Sequence, residues 1–279
     1  MIVSVVLATY NRAELIGKAI ESVLSQTFAD LELIVVNDAS SDHTLEVVLR
    51  YAKKDPRIRV FTNEHNAGQV KSLNRGIKES QGKYVARIDD DDVWCDPKKL
   101  EKQVGFLESH LEYVLVGGGI IIVNEEGKEM VRFLHPKEDK EIRDMILMSA
   151  PFAHGAVVFR KDACDKVEGY NEHMEYGEDW DLWLKLGKVG KMANVQDYVL
   201  LYRKSLNRKT SNWRNETKYD NALRKAYCHD YPNYYKARLF GFLATVYYAL
   251  PFVRNMLYPL SAKLRELFFK ASRSLWKKF

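Results

Sequence analysis

Four consecutive aspartates, Asp89-Asp90-Asp91-Asp92, follow the apolar run Tyr84 to Ile88. Two carboxylates about 5 Å apart at an effective dielectric of about 20 repel by ~3 kcal/mol, and four in sequence compound that cost unless solvent or a cation relieves it. A divalent ion is the natural relief. Mg2+ takes one or two carboxylates with water and substrate phosphates, so a short acidic cluster suits a metal diphosphate. A solvated acidic turn also accounts for such a run in isolation, and its place at a strand end is what favours the metal. Asp96, ahead of Pro97, reads instead as a structural N-cap with proline at the first helical position.

Polar residues close three other apolar runs: Thr9 and Tyr10 after Ile2 to Leu7, Asn37 and Asp38 after Leu31 to Val36, and Asn63 and Asn66 after Ile58 to Phe61. Open α/β sheets bind ligands outside the carboxyl ends of their strands, so these clusters and the aspartates are expected to line one crevice.

The elements that must position them alternate. Asn11 with Glu14 three residues on resembles a capping box, and Leu15, Ile16, Ala19, Ile20, Val23 and Leu24 make one helical face. Further helical patterns near Leu45 to Ala52 and Gln69 to Ser80 follow the second and third strands. Successive βα units predict a largely parallel, doubly wound sheet. Beyond Asp92 the rhythm changes to a hairpin, Val114 to Val123 with Glu129 to Phe133, then a strand at Ala156 to Arg160, a helix at Asp181 to Leu186 and a strand at Val199 to Tyr202. A mixed extension of the sheet is expected, with no flexible linker before Ser205.

With 46% apolar and 29% charged residues, the 279-residue chain has the proportions of an ordinary globular protein. Cys95, Cys164 and Cys228 form no C-x-x-C pair, which argues against a disulfide framework or a zinc site and for a reducing cytoplasm. The opening Met1 to Leu7 reads as a strand, not a signal peptide. The net charge of +5 is local: from Lys236 onward there are nine Lys or Arg against Glu266 alone. Basic residues mixed with apolar ones point to anionic lipid and not to nucleic acid.

Six motifs occur in order: Ser4-Val5-Val6-Leu7-Ala8-Thr9-Tyr10-Asn11-Arg12; Ser25-Gln26-Thr27; Val36-Asn37-Asp38-Ala39-Ser40-Ser41-Asp42; Asn66-Ala67-Gly68 with Asn74; Ala86-Arg87-Ile88-Asp89-Asp90-Asp91-Asp92; and Gly177-Glu178-Asp179-Trp180-Asp181-Leu182-Trp183. Together they resemble the motif set of inverting family 2 glycosyltransferases with the GT-A fold, over residues 2 to about 203. The resemblance implies that Thr9, Tyr10 and Asp38 hold base and ribose, with Arg12, Asn66 and Lys71 also on the nucleotide-sugar side. A helix-surface role for Lys71 is equally compatible. It implies Asp91 as metal ligand with Asp89, Asp89 or Asp90 nearer the ribose or sugar, and Mg2+ or Mn2+ as cofactor. A run of identical residues does not fix that register.

Asp179 is implied as the base that deprotonates the acceptor hydroxyl in a single inverting displacement. Glu178 and Asp179 also suit a helix N-terminus, and the two roles are compatible. His154, Glu178 and Trp180 are expected on the acceptor side, although a lone histidine is more often structural and helical aromatics are usually core. Asp181 is expected to be structural or acceptor-facing. Many family members carry histidine two residues after the position of Arg203, where this chain has Ser205; no Q-x-x-R-W run of processive synthases occurs. Single transfer from a nucleoside-diphosphate sugar, uridine-linked, to a glycan or lipid-linked acceptor is the implied activity. A non-catalytic nucleotide-sugar-binding scaffold and, more weakly, a nucleotidyltransferase are the alternatives.

The expected organisation is a catalytic domain over 1–215, with a nucleotide-binding segment over 1–95 and an acceptor segment over 96–215, followed by a helical, basic amphipathic tail over 216–279. Leu239 to Val253 falls short of a membrane span. Lys263 to Phe279 has Leu264, Leu267, Phe268, Ala271, Leu275 and Phe279 on one face, flanked by Lys263, Arg265, Lys270, Arg273, Lys277 and Lys278. That pattern suits the cytoplasmic face of a membrane, with packing on the catalytic domain or on a second subunit in an oligomer as the competing use.

Overall fold

Strands β1 (Val3–Thr9) and β2 (Leu31–Asn37) are apolar along almost their whole length because both faces are covered, as in a parallel sheet between helices. The structure, a computed structural model, describes residues 2–203 and 213–249. Helices α1 (Ile16–Leu24), α2 (Thr44–Ala52) and α3 (Gln69–Glu79) connect β1, β2, β3 (Ile58–Thr62) and β4 (Tyr84–Arg87). β3, β2, β1 and β4 pair in that order and in parallel, the doubly wound arrangement expected.

From β4 onward the sheet becomes mixed. The remaining elements are β5 (Val93–Trp94), α4 (Lys99–Ser109), the hairpin β6 (Tyr113–Val123) and β7 (Glu129–Phe133), α5 (Asp139–Met145), β8 (Val158–Arg160), α6 (Lys161–Lys166), α7 (Glu178–Val189), β9 (Lys191–Arg203), α8 (Trp213–Ala226) and α9 (Tyr234–Ala249). β8 runs antiparallel to both β4 and β6, while β6 pairs β9 in parallel and β9 pairs β5 antiparallel. β4 is thus the seam between a parallel half and a mixed half. The whole is the GT-A-like α/β fold.

Several local expectations need correction. No side chain caps α1, whose first residue is Ile16; Asn11 instead adopts φ 53° and its Oδ1 accepts from the Ser41 and Asp42 amides. The apparent capping box therefore ties two cleft loops together. Asp96 is not the N-cap of α4 either: it accepts from the Lys98 amide, one turn ahead of the helix, and pairs with Lys102. The strand expected from Ala156 begins at Val158, because His154–Ala156 forms a 3-10 turn first.

The tail expectation divides. The end of α8 and the turn after it pack against α7 and its surroundings: Tyr227 donates to Asp181 Oδ1 at 2.7 Å, Tyr231 to the Leu184 carbonyl at 2.6 Å, and Arg224 of α8 to the Leu147 carbonyl at 3.0 Å. Leu223, Tyr231 and Ala237 are buried in the same core as Leu182 and Trp183, so the start of the 216–279 span is joined to the domain. Lys263 to Phe279 lies outside the described residues, as does Ser205. Among the described residues no helix is long and apolar enough to cross a membrane.

Lys99 is fully buried, its ammonium nitrogen 4.0 Å from the centre of the Trp94 ring. Burial drives its pKa well below the usual lysine value. A lysine whose charged form the fold disfavours costs stability below its unfolded value, and that cost fades as pH rises towards that value. Lys99→Met should therefore raise Tm at pH 7 by about 2–6 °C, from roughly 1–2 kcal/mol, with a smaller gain at pH 10. Thermal unfolding at the two pH values measures both.

Candidate active site

The loops after β1, β2 and β3 are bound into one wall. Asp38 donates its amide to the Thr9 carbonyl and Asn63 donates to the Asn37 carbonyl, both at 2.9 Å. The buried Asp38 carboxylate accepts from Asn63 Nδ2 at 2.6 Å and from the amides of Ala67 and Gly68 at 2.8 and 2.9 Å. It thereby holds the loop carrying the exposed Asn66. Gly68 has φ 92°, a left-handed-side conformation natural to glycine, and turns this loop into α3. Lys71 is exposed in the first turn of α3. Thr9 is buried and Tyr10 is 45% exposed, leaving its ring available for stacking.

β4 ends in a tight turn closed by the Asp92 amide donating to the Asp89 carbonyl at 3.3 Å, which sends the four aspartates in different directions. Asp89 pairs with Arg87 and accepts from Gln69 at the start of α3. Asp90 lies against Thr9 and 3.5 Å from Arg12 Nε. Asp92 is buried; its Oδ1 accepts from the Arg203 amide at 2.9 Å, whereas its Oδ2 has no hydrogen-bond partner. Asp91 is half-buried beside them.

The electrostatic cost is visible in the carboxyl groups. Burial pushes Asp90 up to about 7, and Asp91 and Asp89 add to it against the opposing pull of Thr9 and Arg12. Burial, then Asp89 and Asp91, also hold Asp92 well above the carboxylate range. An oxygen-only donor set carrying this much unrelieved negative charge fits a hard divalent cation. Among the described residues no three His, Cys, Asp or Glu side chains converge as a complete cage, so a cation here would rely on few protein ligands.

Opposite the turn, Gly177 in the left-handed region (φ 72°) starts α7 and places Glu178 and Asp179 at its N-terminus. Asp179 Oδ1 accepts from the Trp180 amide at 2.7 Å. Burial and then the adjacent Glu178 push Asp179 up to about 7; Trp180 and Arg87 oppose them, and Asp89 adds to them. Asp179 therefore shares one electrostatic field with the turn, and its carboxyl is poised to exchange a proton near neutrality.

Arg87 went unnoticed as a functional residue in the sequence, although a cation in the short apolar strand β4 was the available signal. It is 2% exposed, and Asp89 and the more distant Asp92 keep it charged against the pull of burial. Tyr170 was also missed. Its hydroxyl lies 2.7 Å from His154 Nε2, and burial with nearby Arg87 holds His154 well below the usual histidine value. His154 is thus a neutral partner of Tyr170 behind the aspartate turn. Trp180 is corrected: its indole is 4% exposed, donates to the Ile146 carbonyl at 2.7 Å and carries the Arg224 guanidinium on its face, which leaves no open ring for an acceptor sugar. Asp181 is structural, fixed by Tyr227 and Lys185.

The geometry joins a wall of three strand-end loops, an acidic turn and a half-buried carboxyl at the N-terminus of α7. The model of the family described as Glycosyl transferase family 2 matches residues 4–168. The putative glycosyltransferase EpsE of Bacillus subtilis (strain 168) is 37% identical over 205 residues, 72% of each chain. The amylovoran biosynthesis glycosyltransferase AmsE of Erwinia amylovora is 36% identical over 204 residues, 72% of this chain and 75% of the relative. Among solved structures, S. aureus TarS 1-349 in complex with UDP-GlcNAc superimposes with a TM-score of 0.67 at 19% identity, covering 96% of this chain and 78% of that one. The mannosyltransferase PcManGT from Pyrobaculum calidifontis, in complex with GDP-Man and Mn2+, gives 0.66 at 19% identity, with 98% and 80% covered. At these identities the two structures establish the fold alone.

Proposed function

Since the chain belongs to glycosyl transferase family 2, we propose that it moves one sugar from a nucleoside-diphosphate donor, uridine-linked, to a hydroxyl of a membrane-associated glycan or lipid-linked acceptor. The setting is cell-surface polysaccharide or glycoconjugate synthesis at the cytoplasmic face of the membrane, a reading supported by a biosynthetic relative, the Erwinia glycosyltransferase named for amylovoran biosynthesis. The observation that carries the reading is the half-buried Asp179, raised to about 7, held at a helix N-terminus within the field of the aspartate turn.

In this reading Thr9, Tyr10, Arg12 and Asn66 line the nucleotide side, with Asp38 fixing the loop they share. Asp91 and Asp89 would hold Mg2+ or Mn2+, which when bound neutralises the diphosphate leaving group. Asp179 takes the acceptor hydroxyl proton as that oxygen bonds to the anomeric carbon; the bond from that carbon to the diphosphate breaks, and configuration inverts. Arg87 keeps Asp89 in place from below. Glu178 faces the acceptor and raises the proton affinity of Asp179.

The test is the thermal shift of the full chain with UDP, GDP and dTDP, each with and without Mn2+. A ligand at a hundredfold excess over Kd stabilises by about 2.7 kcal/mol, roughly 5–10 °C for a chain of this size. The expected result is an Mn2+-dependent shift with UDP. A shift confined to GDP or dTDP would replace the donor base, and no shift with any of the three would remove the donor and with it the reading.

A further inference from the structure

α9 has two faces of different kinds. Ala237 and Gly241 are buried, and Gly241 approaches Arg224 and Asn221 of α8 so closely that an added Cβ would lie 2.8 Å from the guanidinium. The outward face carries Tyr235, Leu239, Phe242 and Leu243, which are 83, 59, 64 and 56% exposed. At 100° per residue these four span one stripe, and the exposed Lys236 and Arg238 fall on its two borders. No acidic residue occurs between Asp230 and Glu266, while Lys236, Arg238, Arg254, Lys263 and Arg265 do.

An apolar stripe bordered on both sides by cations, with no acidic residue on the helix, is complementary to the acyl-headgroup boundary of an anionic bilayer. A second protein surface would need matching acidic groups on both borders. We infer that the outward face of α9 is a lipid-docking surface, lying in the interface plane and not crossing it. It deepens the membrane-acceptor aspect of the proposed function and rests on that reading, and its occupant is an anionic lipid surface.

The docking surface is tied to the candidate base. α9 packs on α8; α8 reaches α7 through Tyr227, the residue just after it, with Asp181, and through Leu223, which lies 3.2 Å from where a Cβ on Gly177 would stand. Gly177 is the residue that starts the helix bearing Glu178 and Asp179. Seating α9 on lipid therefore fixes the orientation of the acceptor end of the cleft relative to the bilayer, which suits an acceptor that is itself held there.

The experiment is co-sedimentation of the full chain with sucrose-loaded vesicles of phosphatidylcholine alone or with 30% phosphatidylglycerol, alongside L239N/F242N and K236E/R238E. Binding to the anionic vesicles only, reduced at least tenfold in both variants while the UDP thermal shift is kept, is the expected result. Variants that bind as the wild type would overturn the assignment to α9, and absence of wild-type binding would overturn lipid as the occupant. A wild-type dimer by light scattering that L239N/F242N makes monomeric would assign the face to a second copy instead. Loss of the nucleotide shift with vesicle binding intact would strike the transferase reading and leave the docking surface standing.

Discussion

Asp179→Asn should lower kcat by about 10^3-fold while leaving the nucleotide thermal shift unchanged, the loss expected when a positioned general base is removed. Asparagine preserves the side-chain oxygen that accepts from the Trp180 amide, so the start of α7 stays folded and the change isolates proton transfer. Asp181→Asn, two residues on, is the control: it weakens the pairing with Tyr227 and Lys185 and should cost stability more than turnover. The pH profile carries the same argument. A base works ionised, so with Asp179 raised to about 7, kcat/KM should fall tenfold per pH unit below that midpoint. A bound cation moves the midpoint down without altering the slope, and Glu178→Gln, which removes the neighbouring charge that raises Asp179, moves it down as well. An acid limb of kcat/KM that Glu178→Gln does not move, or an Asp179→Asn enzyme of near-normal kcat, would remove Asp179 from the role.

Asp91→Ala should abolish the metal-dependent component of nucleotide binding and reduce turnover at least 100-fold, since the turn offers few alternative ligands. Its effect on the metal-free protein should have the opposite character. Asp91 helps raise Asp90 and Asp92, so its removal lowers both towards ordinary values. Carboxyls raised in the fold bind more protons there than when unfolded. Stability consequently declines as pH rises from about 4 through about 7, the value reached by Asp90. The variant should show a shallower decline over that window, with a metal-free Tm at pH 7 no lower than the wild type. Saturation with Mn2+ should flatten the wild-type curve and leave the variant unaffected. Thermal unfolding at pH 4.5 and 7.5, with and without Mn2+, reads both effects, and an unchanged Mn2+ response in the variant would move the metal away from Asp91.

The parallel half was legible because β1 and β2 are buried on both faces and each is followed by a helix with a single apolar stripe. The mixed half was only partly legible. β9 begins at Lys191, but Asn194, Gln196 and Asp197 interrupt the apolar pattern, so only its Val199 end announces a strand. α7 begins three residues before its expected start because its first turn is acidic and not apolar. Pairwise spacing misled at Asn11 and Glu14, where a left-handed residue tied to another loop satisfies the polar groups that a capping box would have used. Within the site, the turn distributes four identical side chains among Arg87, Arg12, Thr9 and the Arg203 amide. That allocation depends in part on contacts far apart in the chain: the Arg203 amide lies 111 residues from Asp92, and Arg12 and Thr9 belong to the loop after β1. For the same reason nothing near residue 87 in the sequence points to Tyr170 or Asp179 as its electrostatic neighbours.

β4 is four residues long, yet it pairs β1 on one side and β8 on the other, and the aspartate turn hangs from its end. Recombination between relatives meets a constraint there. A junction cut through Tyr84–Arg87 would ask one short strand to match two sheets of different parentage while keeping Arg87 registered against Asp89. A junction after Trp94 keeps the strand, the turn and its buried arginine as one inherited block, and leaves the β4–β8 pairing and the Asp92 contact to the Arg203 amide to be matched across the two parents. Exchange of the chain beyond β5 accordingly disturbs the aspartate turn less than a cut within β4 does.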